Sequence, residues 1–265
     1  MQNNNSVNYS NFSSAPLCIA IIGSGGKTTL MNSLAQICPG RVLMTTTTHL
    51  AYPDSYPACS VSHQRQSYAG RFIPFDNLAD FRQAWSALSP SSPLLTARLD
   101  SEKKHLLGLE PAEIDALSTL PQLDVLIAEA DGSKRLPIKA HRPGEPVLFP
   151  SCNLGIAVIG MTAIGRQVCP GQVHRPELLQ KLLRCSSEHR LTPQDLAAAL
   201  LAYLEKFSCS QRLAVLSQGE HCPEEYTKET EKAVLRLLEK HTSAWARRTV
   251  VTRAKDTALA LEKFI

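Results

Sequence analysis

Short apolar runs alternate with amphipathic stretches along most of the chain. LCIAII (Leu17–Ile22) is apolar throughout and reads as a buried strand, while from Lys27 to about Cys38 the apolar residues return at helical spacing. RVLM (Arg41–Met44) is a second strand, running into four consecutive threonines. LADFRQAWSAL predicts a helix with Phe81, Trp85 and Leu88 on one side, and LLTARL and HLLGL flank the polar DSEKK as a hairpin would. LDVLIA (Leu123–Ala128) and LGIAVIG (Leu154–Gly160) are apolar on both faces, the pattern of parallel strands covered by helices. PQDLAAALLAYLEKF and EEYTKETEKAVLRLLEKH are helices with the strand RLAVLS between them. RRTVVTR and AKDTALALEKF close the chain as strand and helix. This alternation predicts an α/β fold with a mainly parallel sheet flanked by helices. No internal repeat interrupts it, so residues 16–265 read as one continuous domain.

Composition narrows the function classes. The 265 residues suffice for a substantial core, and 43% hydrophobic with 20% charged side chains is ordinary for a soluble globular protein. A net charge of +4 is too mild to argue for nucleic-acid binding. No apolar run approaches the roughly 18 residues of a membrane helix. Residues 1–15, mostly Asn and Ser and without a charged side chain, lack the features of a secretory signal and read as a disordered tail. The eight cysteines contain no Cys-x-x-Cys pair, which leaves no zinc site or disulfide framework and fits reduced thiols in a cytoplasmic protein. Cys59 and His63 make at most half a metal site.

Candidate chemistry gathers where strands end, because open α/β sheets bind ligands beyond the carboxyl ends of their strands. After LCIAII comes GSGGKTT. The common phosphate loop needs a glycine at position 21, where Ile21 stands, so this is a shorter form: Gly23, Ser24, Gly25, Gly26, Lys27, Thr28. Glycines let backbone N–H groups turn inward around an anion at the positive end of the following helix, which Thr29 continues. Lys27 is expected to reach the outer phosphates of ATP or GTP, and Thr28 to place its hydroxyl on Mg2+. The threonine run, Thr46 and Thr47 above all, ends a strand beside those phosphates and offers hydroxyls to phosphate or water. DVLIAEADGSKR places Glu129 and Asp131 at the end of another strand, where a metal-bound nucleotide wants a carboxylate; either acid suits, and Asp131-Gly132 also reads as a turn. Lys27, Glu129 and Asp131 are therefore the candidate catalytic groups, with Thr28 and one or both acids on the metal. Beyond them, Lys134, Arg135, Lys139, His141 and Arg142 belong to a basic, proline-punctuated run. Such a run is either a solvated surface or, directly following a metal acid, the holder of a second anionic ligand.

The short loop is similar to that of the Mur ligases. Taken together with TTTTHL, EADGSKRLPIKA followed by EPV, VIGMTAIG and VHRPELL (Val173–Leu179), it resembles the YqeC family, the selenium-dependent hydroxylase accessory proteins, over nearly the whole chain outside the tail. The resemblance implies a P-loop NTPase-like fold and a slow, Mg-dependent NTP hydrolase. Its implied partners are a molybdenum hydroxylase or the molybdenum cofactor, with no nucleic acid and no membrane. An ATP-dependent ligase or phosphotransferase acting on a small anionic substrate is the alternative that the Mur-like loop suggests. Family members carry an Asn-Lys-x-Asp-like segment after the late strand that reads guanine. Here LSQGE (Leu216–Glu220) has Ser217 and Glu220 at those places, which speaks against guanine selectivity.

Overall fold

The computed structural model describes residues 15–51, 71–88, 93–100, 102 and 105–262. Residues 1–14 of the expected tail, and Cys59 and His63, lie outside the described residues. Among the described residues the strands are β1 (Leu17–Gly23), β2 (Val42–Thr46), β3 (Leu50–Ala51), β4 (Arg71–Pro74), β5 (Leu94–Asp100), β6 (His105–Leu107), β7 (Val125–Glu129), β8 (Leu154–Gly160), β9 (Gln211–Ser217) and β10 (Thr249–Arg253). They form one sheet in the order β10-β9-β8-β1-β7-β2-β5-β6-β3, with β4 beside β5. Every pairing is parallel except those of β6 with β5 and with β3. The antiparallel β5–β6 pair is the expected hairpin, with Arg98 opposite Leu107.

Alternation along β1 explains the layers. Ile19 and Ile21 point to one face, where they pack with Leu30, Met31 and Leu34 of α1 (Lys27–Ile37). Cys18, Ala20 and Ile22 point to the other and meet Leu196, Leu200 and Tyr203 of α5 (Pro193–Leu204). That second face also receives α2 (Leu78–Ala87), α3 (Pro111–Leu117), α4 (Pro176–Leu183) and α6 (Glu224–Lys240), while α7 (Thr257–Leu261) joins α1 on the first. Each fully buried Ile or Leu contributes about 1.5–3 kcal/mol, so helices on both faces hold β1 at the centre. α5 starts cleanly because Thr192 and Asp195 form a capping box around Pro193. No described helix is long and apolar enough to cross a membrane.

The topology fixes where a ligand would meet the sheet. β1 lies between β7 and β8, and the chain leaves it toward β2, two places away, so the winding direction changes beside β1. Register sets the carboxyl ends level: Ile21 and Thr46 both lie opposite Glu129, and Gly23 lies opposite Val158. The threonine run continues β2 through Thr46, two residues further than the apolar pattern indicates.

Close packing at the opposite ends of these strands yields one test. A Cβ on Gly155 in β8 would sit 2.4 Å from the Phe207 ring. Gly155→Ala is therefore expected to destabilise the fold by about 1–3 kcal/mol, read as a lower urea midpoint with unchanged slope. An unchanged midpoint would show that Phe207 moves aside without cost.

Candidate functional site

The turn after β1 has the backbone that only glycine adopts easily. Gly23 and Gly25 have φ of 101° and 81°. A Cβ on Gly23 would stand 2.1 Å from the Val158 carbonyl oxygen, and one on Gly25 would stand 2.6 Å from Gly160 Cα. The loop thus lies directly on the end of β8, and the Ser24 amide donates to Val158 O at 2.9 Å. α1 begins at Lys27 with Gly26 as its N-cap and no side-chain cap, so its first amides face outward without a side-chain acceptor.

Lys27 folds back over this loop. Its Nζ is 2.9 Å from Gly23 O, 3.3 Å from Ser133 Oγ, 3.2 Å from Asp131 Oδ1 and 3.4 Å from Glu129 Oε1. Burial alone would lower its pKa, but Asp131 and Glu129 outweigh that and hold the ammonium above its ordinary value.

The two acids have different surroundings. Thr28 Oγ1 donates to Glu129 Oε2 at 2.7 Å. At Glu129, burial dominates over Lys27 and Thr28 and raises the carboxyl above the usual range. Asp131 is held from several sides: its Oδ2 accepts from the Gly23 amide at 2.8 Å and lies 2.6 Å from His141 Nε2 and 3.2 Å from Lys139 Nζ. Burial would raise its pKa, yet Lys27, His141 and Lys139 reverse this and keep it well below the carboxylate range.

The network continues away from the loop. Lys139 is fully buried; its Nζ donates to Gly132 O at 2.6 Å and lies 3.6 Å from Glu145 Oε2. Glu145 takes a two-pronged pair from Arg175, with Nη2 to Oε1 at 2.7 Å. Tyr203 Oη accepts from the Lys139 amide at 3.0 Å and donates to the Lys139 carbonyl at 2.6 Å. A short parallel bridge between Lys139 and His174 sets LPIKA beside VHRPELL, stretches far apart in sequence. Burial, then the Arg175 and Lys139 charges, push His174 down to about 4.

The residues expected from sequence are distributed as follows. Gly23, Ser24, Gly25, Gly26, Lys27, Thr28, Glu129 and Asp131 converge on one point. Thr46 Oγ1 is spent on Glu129 O at 2.9 Å, and Thr47 Oγ1 on Val147 O at 2.9 Å, so both frame the site through backbone contacts. Thr29 is exposed one position beyond Thr28. The basic run is split: Lys139 points inward to Asp131, while Lys134 and Arg135 are exposed at left-handed φ of 49° and 60°. His141, Glu145, Arg175, Tyr203 and Ser217 complete the site; of these, sequence placed His141 in the candidate anion-holding run and noted Ser217 for base selectivity, and singled out none of the other three as site residues. Glu145 and Arg175 stood in stretches already conspicuous as motifs; Tyr203, a core position on an amphipathic helix, gave no signal. Ser217 donates its hydroxyl to Gly25 O and lies 2.9 Å from Ile159 O, tying the glycine loop to the end of β9. Glu220 turns to solvent beside His221, 3.4 Å away.

A family model described as the YqeC protein matches residues 19–177, which span the loop, both acids, the basic run and Arg175. The chain belongs to the YqeC family. A YqeC relative from Escherichia coli (strain K12) is 32% identical over 186 residues, covering 69% of this chain and 67% of the relative. The YqeC match thus contains the whole Lys27–Asp131–Lys139–Glu145–Arg175 chain, but not Tyr203 and Ser217, which the rest of the fold contributes.

The unlike acids give a test with opposite signs. Asp131 titrates below its unfolded value of about 3.9, so its contribution to stability is whole above about pH 4 and is lost as pH falls below that. Glu129 titrates above its unfolded value, so its ionisation opposes folding near neutral pH. Asp131→Asn removes the counter-charge that buried Lys27 and Lys139 share, leaving Lys139 only the longer Glu145 pair, and should cost about 3–5 kcal/mol at pH 7, with a flatter loss of stability toward pH 3. Glu129→Gln should be neutral or stabilising at pH 7. Urea titrations at both pH values decide it, and equal losses for the two variants would refute the assignment.

Proposed function

We propose that this chain binds a magnesium nucleoside triphosphate at the glycine loop and hydrolyses it slowly. The observation that carries the reading is the junction of β1, loop and α1. There a buried lysine lies over three turn glycines, and Thr28 Oγ1 lies 2.7 Å from a strand-end carboxylate. Uncapped helix amides and a nearby ammonium are the elements that hold phosphate oxygens.

Among the described residues no group of three or more His, Cys, Asp or Glu is placed to hold a metal ion. That donor set still fits Mg2+, which prefers hard oxygen ligands and keeps water and phosphate oxygens among them. Thr28 and Glu129 would hold the ion; Asp131, already committed to the Gly23 amide, His141 and Lys139, would instead position the loop and Lys27. Bound Mg2+ supplies charge neutralisation at the transferring phosphoryl group. The lysine contributes the other positive charge there, and the chain's own residues orient and desolvate the phosphates.

The proposal extends to the biological setting. The family resemblance supports an accessory step in the maturation of selenium-dependent molybdenum hydroxylases, with the molybdenum cofactor or the hydroxylase as partner.

Two measurements test it. Saturating Mg-nucleotide at about a hundred times its Kd adds about 2.7 kcal/mol, a Tm rise of roughly 5–10 °C at this size. Lys27→Ala should weaken binding about ten- to a hundredfold, and Thr28→Val, which leaves the Lys27 pairs in place, should remove the Mg2+ dependence. Absence of a shift with all four common triphosphates would sink the reading. Separately, Ser217 is engaged with Gly25 and Glu220 faces solvent, so GTP should be preferred over ATP by less than about tenfold, or ~1.4 kcal/mol. A hundredfold preference in competition titrations would refute this.

A further inference from the structure

At the end of the sheet opposite the glycine loop, the chain enters β8 and β9 through two cysteines. Leu154 of β8 lies opposite Gln211 of β9. Cys152, at a turn closed by its amide onto Phe149 O, and Cys209, in a bend, each precede these partners by two residues and lie just outside the ladder. Their thiols adopt matching geometry: Cys152 Sγ donates to Leu154 O at 3.5 Å, and Cys209 Sγ to Gln211 O at 3.4 Å. The carbonyls that the two thiols reach belong to register partners on neighbouring strands, about 4.8 Å apart, and the thiols face one another as side-chain hydrogen-bond partners, the approach a disulfide requires. Both cysteines are free thiols.

Their environments differ as an attacking and a resolving thiol require. Cys152 is buried, whereas Cys209 is half-buried next to Arg212, whose Nε donates to the Cys209 carbonyl at 3.0 Å. The facing Cys152 thiol, and then the Arg212 charge, lower the Cys209 pKa, while Cys209 and burial raise that of Cys152. Cys38 is a useful contrast, because burial alone pushes it up to about 12.

We propose that Cys152 and Cys209 are a reversible oxidation site, in which a hydroperoxide converts the dithiol into a disulfide joining β8 to β9. The Cys209 thiolate attacks one peroxide oxygen and the O–O bond breaks, leaving a sulfenic acid and hydroxide, which takes up a proton as water. The Cys152 sulfur then attacks the Cys209 sulfur; the S–O bond breaks and a second water departs with the Cys152 proton. The dithiol loses two electrons and two protons, and hydrogen peroxide is reduced to two waters. The new bond lies at the far ends of the same two strands that hold the glycine loop through Val158, Gly160 and Ser217.

The test treats the full chain with stoichiometric hydrogen peroxide, blocks free thiols and maps peptides without reduction. The expected product is one cross-linked pair containing Cys152 and Cys209, reversed by dithiothreitol, with Tm raised by roughly 5–15 °C. In Cys152→Ser, dimedone should trap a sulfenic acid at Cys209; in Cys209→Ser, Cys152 should stay unreactive at the same dose. Preferential oxidation of any other cysteine in the wild type, or over-oxidation of Cys209 without a cross-link, overturns the proposal. Dimedone labelling of Cys152 in Cys209→Ser would overturn the assigned roles.

Discussion

The Asp131 carboxylate is the contact on which the geometry of the site depends. A buried charge costs several kcal/mol unless it is met by opposite charge and hydrogen bonds; here Oδ2 is hydrogen-bonded, and Oδ1, without a hydrogen bond, is met by the Lys27 ammonium at 3.2 Å. The Gly23 amide and Lys27 from the glycine loop, and Lys139 and His141 from the stretch after β7, converge on this group. The amide bond fixes the first glycine of the loop, and the Lys27 pair sets where the ammonium rests. Through Lys139 the same charge reaches Glu145 and Arg175, so the loop, the turn after β7 and the start of α4 are joined electrostatically. Tyr203 adds rigidity from α5 by closing both backbone groups of Lys139. Little of this cluster rests on the hydrophobic effect; it is held by charge that has nowhere else to go.

A consequence is that the two acids of EAD do different work despite standing two residues apart. Glu129 ends β7 between Ile21 and Thr46, with Thr28 and Lys27 as its side-chain partners. Its raised pKa marks a carboxylate poorly compensated in the free protein, which is the condition under which an incoming cation gains most. Asp131 has the opposite character, its charge already met by Lys27, Lys139 and His141. Sequence offers both residues as metal ligands because spacing along a strand cannot count partners that arrive from elsewhere in the fold.

That limit explains what was legible and what was not. β1, β8 and α5 were readable from local pattern, since burial on both faces or on one stripe leaves a periodic trace. The loop was readable because its glycines meet a backbone requirement visible in composition. Lys139 stood in a run that read either as solvated surface or as the holder of a second anion; only the fold shows it turned inward onto Asp131 and Glu145. For a related reason Tyr203 gave no signal, and the tie from Ser217 to the glycine loop was not legible although the residue was noted in LSQGE. Their neighbours on the strand or helix are ordinary core residues, and their polar atoms serve backbone groups far away in sequence.

The resting position of Lys27 bears on how the proposed ligand would be received. Its ammonium now neutralises Asp131 and Glu129 together. A triphosphate arriving alone would draw Lys27 toward the outer phosphates and leave Glu129 as a buried carboxylate with only the Thr28 hydroxyl beside it. A divalent cation arriving at Thr28 and Glu129 removes that penalty, because it supplies the positive charge as the lysine leaves. Asp131 keeps Lys139 and His141 in either case, so the loop stays anchored during the exchange. On the proposed reading, metal and nucleotide would therefore stabilise one another through the lysine that one replaces and the other recruits, with Asp131 holding the frame in which that exchange takes place.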